Sequence, residues 1–293
     1  MLKKYGILLM LVLFISSCRN PVRENTDPYF KWTDSYGREV SLPREPQRII
    51  SMSPSITEML FMLNSGDKLV GITDFCTYPP ETKQITKIGG LQNFNTESLI
   101  VLEPDVVIIG SIITKDEVEK IEKAGIPVIA IREEQKMEGI YDALTVLGRI
   151  VNQDSLAIEE INTLKNRMES LHLDTSGKIP PSVYYVVDFG DAGDYTAPKN
   201  SHIHEIITRA GGRNIGEDLS GWNISREYLF QEDPDFIFIR KEDKDHFCSK
   251  FPYRELSAVK NGRVYPIESG WIDIVSPRNF LAIEYMNQKI KNF

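Results

Sequence analysis

The sequence predicts an α/β protein of two similar lobes, each built on a mostly parallel sheet, with one long α-helix between them. Short apolar runs typical of buried parallel strands alternate with helical patterns along most of the 293 residues, and this alternation is typical of α/β folds. One helix–strand unit occurs twice, and a segment almost free of Gly and Pro separates the two copies. At roughly 150 residues per domain, the length also suits two lobes.

Residues 1–17 have the pattern of a lipoprotein signal peptide. Lys3 and Lys4 precede an apolar run over 7–15, which reaches only about 14 Å as a helix against the ~30 Å core of a bilayer. The small residues just before Cys18 resemble the bacterial lipoprotein signal, which implies cleavage there and a lipid on the Cys18 thiol; an ordinary signal peptide is the alternative. Residues 18–30 would then tether the body to the outer face of a membrane.

The two lobes are predicted over 31–137 and 174–293. Strand candidates are Val- and Ile-rich runs without strict alternation, at 48–53, 69–73, 105–110, 127–131, 182–188, 235–240 and 263–267. Helical patterns lie at 55–63, 96–102, 115–123, 202–209, 225–231 and 277–291. Ser55, with Glu58 three residues later, indicates a capping box at the start of the first helix.

The repeated unit covers residues 97–109 and 227–239, which match without a gap at an offset of 130 residues. Each copy reads as a short helix, a Pro-Asp turn and a buried strand. A weaker similarity relates 66–71 to 211–216. Chance similarity between two generic helix–strand units is the alternative, but the gapless match favours a true internal repeat.

The segment over 138–173 is predicted to be the linking helix. Its apolar residues recur at helical spacing, and Gly148 is the one Gly or Pro from 140 to 172. About 30 residues of helix would span ~45 Å, with a potential break near Asn152 and Gln153. A long helix of this kind would limit closure of the lobes on each other.

Charge and motifs exclude several classes of function. The chain carries 34 Lys and Arg against 42 Asp and Glu, a net charge of −8, and loss of Lys3 and Lys4 makes this −10. Nucleic-acid binding, which needs a basic surface, is therefore not expected. Nucleotide and hydrolase signatures are absent, and His202 and His204 fit a helix start better than a metal site, so neither a cofactor nor a resident metal is predicted.

Aromatic side chains gather in the loops expected at the carboxyl ends of the strands, where α/β folds bind ligands. As a set they favour a large, flat, partly apolar ligand held between the lobes. The candidates from these loops are Asp74, Phe75, Tyr78, Phe94, Asn95, Phe189, Tyr195, Trp222 and Trp271. Other possibilities are a secreted lipoprotein hydrolase using Ser55 or Ser111 with a histidine, and a structural or adhesive lipoprotein.

Several motifs together resemble the substrate-binding lipoproteins of ABC importers for cobalamin and iron–siderophores. They lie at 48–58, 70–81, 88–90, 95–105, 210–214 and 276–278, and the stretch around Tyr78 is most similar to the cobalamin-binding branch. The resemblance implies class III periplasmic binding proteins: two Rossmann-like lobes joined by one long helix, without enzymatic activity. It further implies that Glu97 and Glu227 dock on a permease dimer that works with ATPase subunits, and that Tyr78, Trp222 and Phe94 line the cleft. The protein is also expected to be a monomer.

The chain departs from the cobalamin-binding members in one loop. There the family has an acid and an arginine that contact the ligand, whereas alignment on Trp271 places Gly270 and Ile274 at those positions, with Asp273 the nearest acid. A corrinoid with neutral amide edges suits Tyr and Trp faces, whereas an anionic siderophore needs Arg or Lys, of which Arg240 is the main cleft candidate. The sequence favours a corrinoid over haem or an iron–siderophore as the transported ligand.

Overall fold

The structure is a computed structural model that describes residues 27–91, 94–110, 113–132, 136–171, 179–291 and 293. The predicted signal peptide, the lipidation site at Cys18 and most of the tether lie outside these residues. Within the described ranges, every helix is too short or too polar to cross a bilayer.

Lobe one contains a short antiparallel hairpin and a parallel sheet of four strands. The hairpin, β1 (Phe30–Thr33) with β2 (Glu39–Leu42), was not among the predicted elements. The remaining elements are β3 (Ile49–Ser51), α1 (Pro54–Met62), β4 (Leu69–Ile72), α2 (Thr96–Val101), β5 (Val106–Ile109), α3 (Lys115–Lys123) and β6 (Val128–Ala130). The strands lie in the order β4-β3-β5-β6.

The linking segment corrects the prediction of one continuous helix. It forms two helices, α4 (Glu138–Ile150) and α5 (Asp154–Glu169), which pack against each other. The chain turns at Asn152, whose φ of 58° lies in the left-handed region that an α-helix cannot continue through. The break therefore falls where the sequence indicated a potential one.

Lobe two repeats the parallel sheet and adds more helices. Its elements are β7 (Ser182–Val186), β8 (Asp194–Tyr195), α6 (His202–Arg209), β9 (Arg213–Asn214), β10 (Asn223–Ile224), α7 (Arg226–Glu232), β11 (Phe236–Arg240), α8 (Lys244–Ser249), α9 (Ser257–Lys260), β12 (Val264–Ile267), α10 (Ser269–Ile272) and α11 (Asn279–Ile290). The main sheet has the order β12-β11-β7-β9, and β8 pairs with β10 in a small antiparallel ribbon.

The internal repeat is confirmed by the topology of the two sheets. The four strands of each sheet are counted here in chain order, from β3 in lobe one and from β7 in lobe two. In both sheets the second and third strands flank the first, and the fourth lies beyond the third. The weaker similarity also corresponds, since β4 and β9 are the second strands. In chain order, α2–β5 and α7–β11 occupy the same places, so the gapless match reflects one structural plan used twice.

The repeat extends to backbone conformation and hydrogen bonding. Glu103 and Asp233, 130 positions apart, both adopt positive φ angles, of 41° and 36°. Two residues later, the carboxylate of Asp105 accepts hydrogen bonds from the backbone N–H groups of Gln47 and Arg48, and that of Asp235 accepts one from the N–H of Ser182. Each aspartate thereby fixes the start of its lobe's first strand beside its third.

One apolar core runs through both lobes and the linking helices. It joins Ile56 and Met59 of α1 to Leu144 and Leu147 of α4, and continues to Phe280 of α11. Two smaller cores cover the other faces of the sheets, one in each lobe. The lobes are therefore packed on shared helices.

Gly148 is expected to be essential for the tight contact between α4 and α5. A Cβ at this position would lie 2.7 Å from the Cβ of Ala157 and 3.2 Å from the carbonyl oxygen of Gln153. Overpacking of this kind costs about 1–3 kcal/mol, which outweighs the gain of up to about 1 kcal/mol in helix propensity. Gly148→Ala should therefore lower the free energy of unfolding in urea.

Gly221→Ala is the control for this prediction, because a Cβ there would meet nothing within 4 Å. A Gly148→Ala protein as stable as the wild type would contradict the packing described.

Candidate functional site

One cavity of the described residues is lined from both lobes and from α5: Glu58 and Tyr78 of lobe one meet Arg278 of lobe two there. In each sheet the chain order reverses between the first strand and the third, which is where α/β sheets bind ligands. At the carboxyl edge of its own sheet, lobe one carries the loop after β4 and the start of α2. Lobe two carries the β8–β10 ribbon, the start of α7 and the segment from α10 to α11 at the corresponding edge of its sheet. The space between these two edges, called the cleft below, is the candidate binding site.

In lobe one, Phe75 and Tyr78 are the most exposed of the predicted aromatic residues, at 58% and 44%. The loop that carries them is held by Cys76, which is fully buried between them. The Cys76 sulfur lies 3.2 Å from the hydroxyl oxygens of both Thr57 and Thr73. Burial raises the pKa of the Cys76 thiol, so this cysteine anchors the loop as a neutral side chain.

Cys76 and Cys248 are not bonded to each other. Their thiols lie in different lobes, and Cys248 is half-buried at the end of α8.

Tyr78 packs on a cation from the opposite lobe. The guanidinium carbon of Arg278 lies 4.3 Å from the centre of the Tyr78 ring. Arg278 also donates two hydrogen bonds to Glu58 of α1, one of them from Nε at 2.9 Å. Burial raises the pKa of Glu58, and the bonds from Arg278 oppose that rise. These contacts join the lobes at the cleft.

The predicted capping box at Ser55 and Glu58 is wrong. The helix α1 begins at Pro54, and its cap is Ser53, whose hydroxyl oxygen accepts a hydrogen bond from the N–H of Ile56 at 3.5 Å. Ser55 is buried within the helix, and Glu58 binds Arg278 instead of the backbone. Ser111, the other serine of the hydrolase alternative, lies outside the described residues.

In lobe two, the β8–β10 ribbon carries Trp222 and Tyr195. Trp222 is 41% exposed, and its carbonyl oxygen accepts a hydrogen bond from the N–H of Thr196 at 2.8 Å. Tyr195 is half-buried and pairs with Asn223 across the ribbon. The pairing of β8 with β10 therefore fixes the backbone at Trp222, which directly precedes β10.

A buried carboxylate behind this ribbon was missed by the sequence analysis. Asp194, 3% exposed, accepts hydrogen bonds from the N–H of Gly190 at 3.1 Å, from Nε of Arg226 at 3.0 Å and from the hydroxyl of Tyr253. Burial and the bond to Asp194 raise the pKa of Tyr253 to about 12. Because Arg226 is the first residue of α7, the network ties the start of that helix to the cleft loop.

Replacing Asp194 with alanine is expected to destabilise lobe two. The change leaves the Tyr253 hydroxyl and the Gly190 N–H without their acceptor, and each buried unsatisfied group costs about 1–3 kcal/mol. We expect a loss of ~2–4 kcal/mol in chemical denaturation, with Asp191→Ala, at an exposed carboxylate of the same loop, as the control. Equal stability of the two variants would refute the structural role of Asp194.

Arg240 and Asp273 lie together at the carboxyl end of the lobe-two sheet. Nε of Arg240 donates to the Asp273 carboxylate at 3.0 Å, and the hydroxyl of Tyr185 donates to the same group at 2.9 Å. Burial raises the pKa of Tyr185, and Asp273 adds to the rise. The charge of Arg240 is therefore compensated within the lobe.

The other predicted cleft residues differ in their contacts. The rings of Phe94 and Phe189 are half-buried and pack against the small cores of their own lobes; Phe189 contacts Phe247 and Tyr253 edge-on. Trp271 is half-buried against Tyr285. These are packing positions that loop composition alone could not distinguish from exposed ones.

The two polar candidates of lobe one take different places. Asn95 caps α2, since its side-chain oxygen accepts hydrogen bonds from the N–H groups of Glu97 and Ser98 at 2.9 and 3.3 Å. Asp74 is exposed at the start of the loop that bears Phe75.

Glu97 and Glu227 occupy equivalent positions in the two lobes. Each is exposed and is the second residue of its helix, α2 or α7. Asn95 caps the first helix, and Ser225 caps the second by accepting a hydrogen bond from the N–H of Tyr228 at 3.1 Å. The pairing inferred from the repeat is therefore present at the level of individual helix positions.

The two histidines of α6 have local roles. His202 is buried, with Nε2 2.7 Å from the carbonyl oxygen of Ile272, and burial lowers its pKa. His204 lies 3.3 Å from Asn214 through Nδ1. Across the part of the chain that the structure describes, no three potential metal ligands come together.

Comparison with known proteins places these features in a family. Residues 49–269 match the family model described as periplasmic binding protein. The chain is 26% identical to an uncharacterized ABC transporter substrate-binding lipoprotein, YvrC, of Bacillus subtilis (strain 168), over 99% of this chain and 98% of that protein. It is 29% identical to a vitamin B12-binding protein of Salmonella paratyphi A, over 82% and 88% of the two chains.

Among solved structures, the periplasmic heme-binding protein RhuT from Roseiflexus sp. RS-1 has the same fold. Its TM-score is 0.74 at 20% identity, over 84% of this chain and 98% of that one. The two four-stranded sheets of equal strand order agree with the match over 49–269, and the chain belongs to the periplasmic binding protein family.

Proposed function

We propose that the protein is the substrate-binding component of an ABC importer and that it captures a corrinoid in the cleft for delivery to a membrane permease. The observation that carries the proposal is the pair of exposed rings, Tyr78 from lobe one and Trp222 from lobe two, together with two arginines, Arg240 and Arg278, whose charges are already compensated. Capture and release need no chemical step, so we propose no enzymatic activity.

The aromatic residues favour a large and flat ligand. Tyr and Trp rings offer broad apolar faces together with a polar group, and clefts that bury most of a ligand combine such rings with a few polar contacts. A corrin ring edged by neutral amides matches this composition. Asn223, exposed beside Trp222, is available as an amide partner.

The charges favour a neutral ligand. Arg240 is paired with Asp273, and Arg278 is paired with Glu58. An anionic siderophore would have to draw one of these arginines from its carboxylate, which leaves a buried or half-buried acid without its partner. With the mature charge at −10, long-range attraction would not help an anion either.

The proposal also covers the membrane anchor of the protein and its permease partner. The resemblance of the first eighteen residues to a lipoprotein signal supports anchoring through a lipid on Cys18, facing the periplasm or the extracellular side. Glu97 and Glu227 are proposed to engage a permease dimer with its ATPase subunits. The same role for haem or an iron–siderophore is the alternative.

Calorimetric titration tests the ligand directly. The body from about Arg23, without the lipid, is titrated with cyanocobalamin, and haem and a ferric hydroxamate serve as parallel titrants. We expect saturable binding of one cyanocobalamin per protein at submicromolar affinity. Saturation by haem or the iron chelate, with no heat from cyanocobalamin, would contradict the corrinoid and leave the transport role in place.

A further inference from the structure

The contact between Tyr78 and Arg278 crosses the boundary between the lobes. Tyr78 lies in the loop after β4 of lobe one, whereas Arg278 directly precedes α11 of lobe two. Nε of Arg278 donates to Glu58 at 2.9 Å and Nη2 donates to the other carboxylate oxygen. A bidentate arginine–carboxylate pair fixes the plane of the guanidinium, so Glu58 holds it in one orientation.

This orientation places the guanidinium on the tyrosine ring. Its carbon is 4.3 Å from the ring centre, while Tyr78 remains 44% exposed. The side chains of Arg278 and Glu58 are only 17% and 5% exposed, and a desolvated cation–π contact is among the stronger ones. The arginine therefore supports the buried side of the ring and leaves the exposed side for a ligand.

Gly270 provides the space that the guanidinium occupies. A Cβ built at Gly270 would collide with Arg278, at 2.8 Å from Cζ and 2.9 Å from Nη2. Any side chain at position 270 would therefore displace Arg278 from Glu58, from Tyr78 or from both. The departure from the family pattern at this position is thus tied to a specific contact in this chain.

A second bidentate pair lies at the same cavity as the first, between α5 and α11. Nε and Nη2 of Arg167 donate to the two carboxylate oxygens of Glu284 in α11, each at 2.8 Å. Both side chains of this pair are 37% exposed. Among the described contacts, the Arg167 guanidinium has no aromatic ring beneath it, so the two pairs differ in the contact to Tyr78.

We propose that Arg278 is a positioning residue for ligand binding, which Glu58 orients across the lobe boundary, for which Gly270 leaves room, and which fixes the ring of Tyr78 as one wall of the cleft. This rests on the proposed function in that Tyr78 contacts the ligand. The arginine acts through Tyr78 and, with its charge compensated, offers no free cation to the ligand.

The test uses two routes to the same contact. Gly270→Ala displaces the guanidinium and retains both charges, and Glu58→Gln/Arg278→Met removes both charges without leaving one buried alone. Arg167→Met is the control. The position of Tyr78 is followed by ¹⁹F NMR of protein labelled with 3-fluorotyrosine, its resonance being assigned with Tyr78→Phe, and cyanocobalamin affinity is measured on the same samples.

We expect both test variants to shift the Tyr78 resonance in the absence of ligand and to weaken cyanocobalamin binding by about tenfold. Arg167→Met should leave the resonance in place and change the affinity by less than about twofold. Adding Gly270→Ala to the Glu58→Gln/Arg278→Met protein should have little further effect, because the group that the new Cβ displaces is gone.

An unchanged Tyr78 resonance in folded test variants would overturn the proposal, as would full additivity of Gly270→Ala with the double change. Because the NMR measurement needs no ligand, it separates the two proposals. If the wild-type protein does not bind cyanocobalamin but the test variants show the expected shifts, the positioning role of Arg278 stands and the proposal of a corrinoid ligand is wrong.

Discussion

A protein carrying both Glu97→Ala and Glu227→Ala is expected to bind its ligand with unchanged affinity and to deliver none of it to the membrane. Both carboxylates are exposed at the second position of a helix, in equivalent places of the two lobes. Truncating one partner of a desolvated charge pair at an interface costs about 2–5 kcal/mol. Loss of two such pairs should reduce uptake to background, measured with labelled ligand in cells or in vesicles that contain the permease.

The chain offers a matched control for this experiment. Asp116 and Asp245 are also exposed acids at the second position of a helix, α3 in lobe one and α8 in lobe two. Asp116→Ala/Asp245→Ala removes the same charge and the same helix-dipole interaction, worth about 0.3–1 kcal/mol each, and should transport normally. If the glutamate variant lost ligand affinity instead, these residues would belong to the binding site and not to a docking surface.

Removal of either exposed ring should weaken ligand binding strongly. Trp222→Ala and Tyr78→Ala each delete a side chain that buries on the order of 150–250 Å² when fully covered, and central aromatic contacts commonly cost 2 kcal/mol or more when truncated. We expect affinity to fall by about 30-fold or more for each variant. Titration calorimetry with cyanocobalamin measures the loss, and the thermal unfolding temperature reports whether the variant is folded.

Phe293→Ala provides the control, because that ring is 60% exposed and packs on Phe236 at the amino end of β11, away from the cleft. A similar loss of affinity in all three variants would indicate a general effect of deleting aromatic residues. Unchanged affinity in both cleft variants would place the binding site elsewhere.

The sequence predicted the features that depend on local pattern. Strand and helix order, the correspondence of 97–109 with 227–239 and the break near Asn152 all follow from periodicity, turn residues and direct comparison of the chain with itself. Glu97 and Glu227 could be paired for the same reason, since a gapless repeat places equivalent residues at equivalent helix positions.

The contacts that shape the cleft could not be predicted in this way. Glu58 and Arg278 are 220 residues apart, and Asp194 and Tyr253 are 59 apart. Nothing in the local sequence indicates which distant residue will satisfy a buried acid, so Glu58 was assigned to a cap and Asp194 was missed. Phe94 and Phe189 illustrate the same limit, because burial of a loop ring depends on neighbours from other elements.

The repeated architecture also bears on how a two-fold symmetric permease would meet this single chain. On the proposed docking, rotating the protein by 180° exchanges Glu97 with Glu227 and presents nearly the same pair of charges. Two poses would then be almost equally favourable, a statistical gain of about 0.4 kcal/mol in association. The ligand in the cleft has no such symmetry, so the two poses would present opposite edges of it to the translocation pathway. A transporter that accepts both must admit its cargo from either edge.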